Sequence, residues 1–366
     1  MKKLVGLVGA RGMVGSVLIK RMHEEEDFSL CNVKCYSTSQ AGEEAPNWSC
    51  ENKLADALDI DDLKKCDVIL TCQGGSYTEK VHGPLRSAGW KGTWIDAAST
   101  LRMNDTSGLI LDPINGDYIH DLYKNGCRDF VGANCTVSLL ILGLAGLFKN
   151  DLVEWASTMT YQAISGAGAQ PMKELVSQMG YIHDNSKKHL SEHIIDFDKT
   201  VAAAMSNSSL PQENIGRSLA GNLHPWIDSK LDNGQSREEW KAMSEANKIL
   251  NSKVNIPIDG TCVRVGSMRS HAQGVTIKLK QNAPIDEIND MISSAHQWVN
   301  FVENEKEKTL NELTPAFTSG SLKISVGRVR KMNIGDDYLN VFTVGDQLLW
   351  GAAEPLRRFL RLQLEY

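Results

Sequence analysis

The start of the chain constrains the fold most, because it places a glycine-rich turn between a buried strand and a helix. Residues 4–8 form a short apolar run typical of a parallel strand that is buried on both faces. Gly9, Gly12 and Gly15 follow at GxxGxxG spacing, and apolar residues recur at helical spacing over 12–22. The pattern predicts a β-α unit whose turn can approach a phosphate group closely.

Strands and amphipathic stretches continue to alternate over the first part of the chain. Further strands are predicted at 31–36, 67–72, 93–97, 109–111 and 128–132. This alternation indicates an α/β fold with a doubly wound, Rossmann-type parallel sheet. Ligands of such a sheet bind beyond the carboxyl ends of its strands, so motifs at those ends are candidate binding sites.

The pattern changes after residue 134, where strands and helices become longer. Strands are predicted to include 156–164, 261–265 and 274–280, which indicates a second, α+β domain with a mixed sheet. We therefore expect a dinucleotide-binding domain at 1–134 and a second domain at 135–345. The amphipathic segment 346–366 is expected to form a helix that packs back on the first domain.

Composition excludes several classes of protein. The chain has 366 residues, enough for two domains, and its net charge of -6 argues against nucleic acid or an anionic membrane as main partner. The apolar run 137–148 is too short to span a bilayer, and Arg11 interrupts the apolar start before an export signal forms. The eight cysteines include no CxxC pair, so reduced thiols in a cytoplasmic protein are expected.

The glycine turn predicts a dinucleotide site. Backbone amides at the start of the first helix would bind a pyrophosphate, and Arg11 would add positive charge. The second strand runs into 36–40, Tyr-Ser-Thr-Ser-Gln, with no acid to hold the ribose 2′-hydroxyl of NAD, which favours NADP. Gln73 and a glycine pair end another strand and are expected beside the cofactor. The alternative is an ordinary polar turn without a ligand.

Cys135 is the candidate nucleophile. It follows a predicted strand and precedes the apolar run 137–148, so it is expected at a helix N-terminus. The helix dipole and free amides there would lower the pKa of the thiol and stabilise an oxyanion. His271 is the candidate base that takes the thiol proton and returns one. The alternatives are a small cysteine in a capping region and a structural histidine.

One difficulty concerns Arg264 and His271, which are an odd number of residues apart. A regular strand would point them to opposite faces, so a bulge or bend near Gly266 is the predicted way to bring them together.

A second question concerns the polar stretch 184–212 and its histidines. No third ligand stands at suitable spacing there, so a solvated or subunit-contacting helix is favoured and no metal is expected.

Longer motifs occur along nearly the whole chain. Besides the glycine turn they are Gly132-Ala133-Asn134-Cys135-Thr136-Val137, Gln162 with Ser165-Gly166-Ala167-Gly168, Arg237-Glu238-Glu239-Trp240-Lys241, Arg264 through His271, Phe342-Thr343-Val344-Gly345-Asp346-Gln347 and Gly351-Ala352-Ala353-Glu354-Pro355-Leu356-Arg357-Arg358. Together they resemble the aspartate-β-semialdehyde dehydrogenase family of the Gram-negative bacterial type.

The resemblance implies NADPH-dependent reduction of aspartyl phosphate to aspartate semialdehyde, on the route to lysine, methionine and threonine. It implies a homodimer whose second domain is both catalytic and dimerising. Cys135 would carry the acyl group and His271 would be the acid/base. The same family likeness assigns inorganic phosphate as a second small-molecule partner.

The resemblance also implies a set of binding residues. Gln162 would orient the substrate, Arg264 would hold its carboxylate and Glu238 its amino group. The phosphate would be bound by Arg102 and Lys241, with Asn134 beside them. The NADP site would be formed by Gly9, Arg11, Gly12, Met13, Val14, Thr38, Ser39, Gln73, Ser165, Gly166 and Gln347.

Two other functions remain open at this point. Another acyl-phosphate reductase, such as N-acetylglutamyl-phosphate reductase, would share the thioester chemistry and accept a different acyl group. A non-catalytic NADP-binding protein would need only the glycine loop and the acid-free second strand. Without the resemblance, Glu238 and Lys241 would more often be an exposed ion pair one helical turn apart.

Overall fold

The computed structural model describes residues 2–365. Its first sheet contains β1 (Leu4–Val8), β2 (Asn32–Ser37), β3 (Ala55–Asp56), β4 (Val68–Thr71), β5 (Thr93–Asp96), β6 (Ser107–Ile110) and β7 (Asp129–Gly132). The second contains β8 (Val153–Gln162), β9 (Leu223–His224), β10 (Ile258–Val265), β11 (His271–Leu279), β12 (Val299–Phe301), β13 (Ile324–Met332) and β14 (Gly335–Gly345).

The helices surround these sheets. They are α1 (Met13–Glu24), α2 (Ile60–Leu63), α3 (Gly75–Ser87), α4 (Asp112–Lys124), α5 (Cys135–Gly143), α6 (Ala145–Lys149), α7 (Ala169–Ser186), α8 (Ile194–Met205), α9 (Arg237–Leu250), α10 (Ile285–Ser293), α11 (Lys306–Glu312), α12 (Pro315–Thr318) and α13 (Glu354–Glu365). A π-helical turn, Leu349–Ala353, leads directly into α13. No helix within 2–365 is both long enough and apolar enough to cross a membrane.

The first sheet is parallel throughout, which confirms the predicted doubly wound fold. Its strand order is β3-β2-β1-β4-β5-β7-β6, with β1 hydrogen-bonded to β2 on one side and β4 on the other. The chain runs outward from β1 in both directions, so the carboxyl ends of the central strands meet at one edge. The strand predicted at 109–111 begins earlier, at Ser107, because pairing with β7 extends it across a serine and a glycine.

The second sheet is mixed, as predicted. Its order is β12-β13-β14-β11-β8-β10-β9, in which β8 runs parallel to β10 and antiparallel to β11. Along β8 the buried side chains Thr158, Thr160 and Gln162 alternate with the exposed side chains Met159 and Tyr161. One face of this central strand therefore carries site residues, and the other face is apolar and open to solvent.

The apolar run 137–148, expected as one helix, forms two. α5 ends at Gly143 and α6 begins at Ala145, with Leu144 between them at φ -110°. Glycine is required at Gly146, where a Cβ would overlap the carbonyl of Met291, and a Cβ at Gly143 would lie in tight contact with the Thr343 side chain at 3.2 Å. Every residue of α5 after Cys135 is buried, so this helix fills the space beside the second sheet.

The segment after residue 345 returns to the first sheet. Leu356 and Leu360 of α13 belong to the same apolar core as Val5 and Leu7 of β1. The ring of Phe359 lies 4.2 Å, centroid to centroid, from that of Phe130. α13 thus covers one face of the parallel sheet, and Tyr366 of the predicted segment 346–366 lies outside the described residues.

The polar stretch 184–212 contains the end of α7, a 3-10 turn at Lys187–His189 and all of α8. His193 caps α8, since its Nδ1 accepts a hydrogen bond of 3.4 Å from the backbone N–H of Ile195. His189 pairs with Glu192 at 2.7 Å. Among residues 2–365, no group of three or more histidine, cysteine or acidic side chains is arranged to hold a metal ion.

Candidate active site

Cys135 is the first residue of α5, directly after the carboxyl end of β7. Asn134 caps the helix: its Oδ1 accepts hydrogen bonds from the backbone N–H groups of Thr136 at 3.0 Å and Val137 at 3.3 Å. A side-chain cap of this kind fixes where a helix begins. The cysteine is half-buried and faces the pocket described next.

A cavity of about 390 Å³ gathers all six predicted substrate- and phosphate-binding residues around Cys135. The predicted residues that line it are Arg102, Asn134, Gln162, Gly166, Glu238, Lys241 and Arg264. It is also lined by residues that were not predicted, namely Ser99, Ile227, Asp228 and Gly351. The structure therefore brings together groups that are widely separated in sequence.

Gln162 and Arg264 are cross-strand neighbours at the ends of β8 and β10. The Nε2 group of Gln162 donates to Thr160 at 3.2 Å and to Glu238 at 3.3 Å, and Arg264 donates to the carbonyl of Ala163 at 2.8 Å. Burial lowers the pKa of Arg264 from its ordinary value. These bonds hold both side chains at the pocket wall.

Of the predicted bulge or bend near Gly266, the structure has a bend, since β10 ends at Val265 and the chain bends at Gly266. Arg264 lies in β10 and His271 begins β11, and these two strands flank β8 on opposite sides. The connection 266–270 crosses the end of β8, where the backbone N–H of Ile164 donates to the carbonyl of Ser267 at 2.9 Å. The odd spacing therefore places no restriction on the pair, because they do not share a strand.

Glu238 and Lys241 form a buried ion pair, not an exposed one. The Lys241 ammonium is 2.8 Å from Glu238 and 3.0 Å from Asp228. Burial opposes ionisation of Glu238, but the charge and hydrogen bond of Lys241, the hydrogen bond from Asn134 and the charge of Arg102 together outweigh it, so the pKa of this carboxyl lies below its ordinary value. Both groups are thus charged at neutral pH and are held one helical turn apart on α9.

Arg102 reaches the pocket from the first sheet. Its Nε donates to the carbonyl of Gly132 at 2.7 Å, and Nη2 donates to the carbonyl of Ala97 at 3.2 Å. Its Nη1 donates to Glu245 at 3.2 Å. The guanidinium is therefore fixed in direction by three partners and remains part of the pocket wall.

His271 is almost fully buried beside the pocket. The backbone N–H of Ala163 donates to its Nδ1 at 3.0 Å, so a neutral ring carries its proton on Nε2. Nε2 makes no hydrogen bond within 2–365 and lies near Gly166, where an added Cβ would be 3.4 Å away. Burial, assisted by the charge of Arg264, lowers the pKa of His271 to about 3.

The predicted lowering of the Cys135 pKa was wrong. Burial, followed by the negative charge of Glu238, raises the pKa of this thiol to about 12. The cations Arg102, Arg264 and Lys241 act in the opposite direction but do not outweigh burial. The thiol and the imidazole are therefore both neutral near pH 7.

A second cavity, of about 740 Å³, lies at the carboxyl ends of β1 and β2. Six predicted cofactor residues line it: Gly9, Arg11, Gly12, Thr38, Ser39 and Gln73. Gly9 has φ +81°, and a Cβ there would lie 2.8 Å from the backbone of Cys72 and Gln73. This close approach of two strand ends leaves a cradle of bare backbone, which suits a dinucleotide phosphate.

The other five predicted cofactor residues do not line this cavity. Met13 and Val14 begin α1 beside this cradle. Ser165 and Gly166 lie in the turn after β8, and the side chain of Gln347 donates to the Ser165 hydroxyl. The backbone N–H of Ser270 donates to the Gln347 Oε1 at 2.8 Å, so this group adjoins His271 rather than the glycine turn.

Comparison with known proteins decides the family. Two family models match, the semialdehyde dehydrogenase NAD binding domain over residues 4–122 and the semialdehyde dehydrogenase dimerisation domain over 144–350. The chain is 49% identical to aspartate semialdehyde dehydrogenase from Francisella tularensis, over 99% of this chain and 100% of that one, with a TM-score of 0.96. The chain belongs to the aspartate semialdehyde dehydrogenase family.

More distant members share the fold. Aspartate semialdehyde dehydrogenase II from Vibrio cholerae is 21% identical with a TM-score of 0.81, over 100% of this chain and 99% of that one. The enzyme from Candida albicans, solved with NADP, is 16% identical with a TM-score of 0.65 over the same shares of the chains. The family fold therefore persists where few residues are shared.

Sequence reasoning missed several residues that this member of the family places at the site. Gly351 stands in a motif that supported the resemblance, but nothing assigned it to the nucleophile. Glu245 had a detectable signal, since it shares one helical face with Glu238 and Lys241. Asp228 and Ser99 lie in irregular segments, where no periodicity indicates which side chains turn inward.

Proposed function

We propose that this chain catalyses the reversible, NADPH-dependent conversion of L-aspartyl 4-phosphate to L-aspartate 4-semialdehyde and phosphate. The product would enter lysine, methionine and threonine biosynthesis. One observation carries the proposal: a cysteine at a helix N-terminus shares a cavity with three cations, Arg102, Lys241 and Arg264. These cations suit a substrate with a phosphate at one end and a carboxylate at the other.

Acyl transfer begins at the sulfur of Cys135. The sulfur forms a bond to the acyl carbon, the bond from that carbon to the phosphate oxygen breaks, and the thiol proton leaves with the phosphate. The products of this step are a thioester on Cys135 and hydrogen phosphate. Arg102 and Lys241 stabilise the departing negative charge.

His271 is the proposed acid/base. Its neutral ring carries the proton on Nε2, so it acts first as a hydrogen-bond donor. Because Ala163 occupies Nδ1, the proton on Nε2 is the one available to an acyl oxygen as negative charge develops. Bound NADPH supplies the hydride that the thioester carbon accepts. The adduct returns its hydroxyl proton to Nε2 of His271 as the bond between carbon and sulfur breaks, which releases the aldehyde and leaves a Cys135 thiolate. A proton from solvent then restores the neutral thiol.

The choice of NADP is supported by the residues around the glycine turn. β2 ends at Ser37, whose hydroxyl accepts a hydrogen bond of 3.1 Å from the backbone N–H of Gln40, and residues 37–40 contain no carboxylate, whereas Glu43 and Glu44 line the same cavity further along the chain. Arg11, Thr38 and Ser39 line the same cavity and can bind a 2′-phosphate. A comparison of KM for NADP and NAD tests this choice, and equal values would contradict it.

The acyl group is proposed to be aspartyl, with a free amino group. Glu238 lines the pocket as a carboxylate, which matches the positive charge of an ammonium group. An N-acetylated substrate would present a neutral amide there, which gains no attraction to this carboxylate beyond its existing pair with Lys241. Glu238 thus disfavours an N-acetylglutamyl phosphate reductase.

The decisive experiment detects the covalent intermediate. Protein is mixed with aspartyl phosphate in the absence of reductant and analysed by mass spectrometry. An aspartyl adduct on Cys135, absent from Cys135→Ala, is expected. Phosphate-dependent reduction of NADP with aspartate semialdehyde is the matching activity assay. Lack of both the adduct and this activity would eliminate the proposed function.

A homodimer is proposed as the working form. Met159 and Tyr161 expose about 40% of their surface in the middle of the second sheet, opposite the site residues of β8. A second copy would cover this apolar face. In sedimentation, the wild type is expected to be a dimer and Met159→Glu is expected to be a monomer. A monomeric wild type would contradict the proposal.

A cytoplasmic location is proposed as well. All eight cysteines are free thiols, which supports this location.

A further inference from the structure

Glu245 connects two parts of the candidate site that lie on different elements. It stands on α9 and is only 1% exposed. One carboxylate oxygen is 3.2 Å from Nη1 of Arg102, and the other accepts a hydrogen bond of 2.6 Å from the backbone N–H of Asn134. Arg102 is the proposed phosphate ligand, and Asn134 caps the helix that carries Cys135.

The carboxylate completes the set of contacts that fix Arg102. A guanidinium has five N–H hydrogens, and its bonds to Gly132, Ala97 and Glu245 use three of them. Two therefore remain for an anion in the pocket. Lys248 lies one helical turn further along α9 and donates to the carbonyls of Arg102 and Asn104 at 2.7 Å. These bonds hold the backbone of the segment that contains Arg102.

The same helix fixes the position of Asn134 from two sides. Glu245 accepts its backbone N–H, and Glu238 accepts a hydrogen bond of 3.0 Å from its side-chain amide. Glu238 and Glu245 are two helical turns apart, so they face the start of α5 together. A displacement of Asn134 would shift the first turn of α5, and with it the sulfur of Cys135.

We infer that Glu245 is a positioning residue, which sets the direction of the Arg102 guanidinium and the distance from it to Cys135. The inference rests on the proposed function, since that function assigns Arg102 to the phosphate. Positioning by Glu245 and simple electrostatics predict opposite effects on phosphate binding when Glu245 is replaced. Loss of a negative charge would by itself strengthen phosphate binding, whereas loss of positioning weakens it.

Glu245→Gln separates these two effects. The amide keeps the shape of the side chain but offers one acceptor oxygen to two donors, so either Arg102 or Asn134 loses its bond. In the phosphate-consuming direction, KM for phosphate is expected to rise about tenfold, as for loss of a charge-assisted hydrogen bond. KM for the semialdehyde and for NADP is expected to stay within about twofold of the wild type.

Glu239→Gln is the matched control. Glu239 lies on the same helix, is also buried, and accepts backbone N–H groups of Ser236 at 2.7 Å and Cys262 at 3.1 Å. It bonds to neither Arg102 nor Asn134, so its variant should lose stability without a change in the phosphate KM. A similar rise in both variants would reduce Glu245 to a structural role and overturn the inference.

The remaining outcomes are also decisive. An unchanged or lower phosphate KM together with an unchanged kcat in Glu245→Gln overturns the inference while the wild type stays active, because loss of the Asn134 bond alone would lower kcat. A wild type without phosphate-dependent NADP reduction overturns the proposed function and the inference together. If the Gln variant does not fold, Glu245→Asp carries the same test, because it keeps the charge but is one methylene too short to reach both donors.

Discussion

Gly351 packs directly against the proposed nucleophile: a Cβ on Gly351 would overlap the Cβ of Cys135 and lie 2.6 Å from its Cα. Gly351 belongs to the π-helical turn Leu349–Ala353, a rare form of helix that is often found at functional sites. Because the overlap includes backbone, no side-chain rotation can relieve it. The position of Cys135 thus depends on a residue more than 200 positions away in the sequence.

Gly351→Ala should therefore displace Cys135. The added methyl group forces the start of α5 or the π-helical turn to move, and a misplacement of about 1 Å can lower kcat by about 100-fold. Overpacking should also lower the free energy of unfolding by about 1–3 kcal/mol. Steady-state kinetics and urea unfolding measure the two effects.

Gly180→Ala is the control for this substitution. Gly180 lies in α7, and a Cβ there would meet no atom within 4 Å. Alanine at this position should stabilise the protein by about 0.4–1 kcal/mol and leave kcat unchanged. Wild-type kcat in Gly351→Ala would show that the contact does not control the nucleophile.

The reactivity of Cys135 should rise steeply with pH. Only the thiolate is alkylated, and burial raises the pKa of Cys135 to about 12. The rate of iodoacetamide labelling at Cys135 is therefore expected to increase about tenfold per pH unit from pH 7 to 9. Peptide mass spectrometry separates Cys135 from the other seven cysteines. A plateau below pH 8 would mean that the helix N-terminus outweighs burial after all.

His271 should make the protein sensitive to acid. Its pKa is about 3 in the folded protein and near its ordinary 6.5 when unfolded, so the unfolded chain binds the additional proton between these values. The stabilising contribution is present above pH 6.5 and is lost as the pH falls, by about 1.4 kcal/mol per pH unit. His271→Asn cannot titrate and should show a shallower decline in the free energy of unfolding.

Urea unfolding of both proteins at pH 7, 6 and 5 measures this difference. The comparison matters because other groups also titrate in this range and contribute equally to both proteins. Parallel curves for the two proteins would show that His271 is not held neutral by burial.

The sequence predicts best those features that depend on neighbours along the chain. The strand, glycine turn and helix at the start follow from local periodicity, and so does the position of Cys135 before an apolar helix. The break at Leu144 does not, because it depends on how Gly143 and Gly146 meet other elements. Propensity within 137–148 contains no information about those distant surfaces.

The sequence predicted which residues form the site better than it predicted their pKa values and their placement relative to one another. The pKa of Cys135 depends on burial by distant segments and on Glu238, which outweigh the local helix terminus. The relation of Arg264 to His271 depends on strand order, since β8 separates the two strands that carry them. Both outcomes follow from tertiary packing, which spacing in the sequence does not specify.

The last prediction concerns the attachment of α13 to the first sheet. Arg357 is 3.0 Å from Asp27 and 2.9 Å from Glu354, and all three side chains are buried. Arg21 also contacts Glu354, at 2.9 Å, and Arg361 contacts Asp27, at 3.1 Å. Arg357 is therefore the only cation within residues 2–365 that bridges both carboxylates.

Arg357→Leu should lower the free energy of unfolding by about 1.5–3 kcal/mol, because Asp27 and Glu354 each lose a charge-assisted hydrogen bond but keep one cation. Lys308→Ala is the control, since its pair with Glu303 at 2.7 Å is exposed and should contribute little. Denaturant unfolding of the two variants measures both effects. Equal stability in Arg357→Leu and the wild type would mean that the apolar contacts of Leu356, Phe359 and Leu360 alone hold the helix in place.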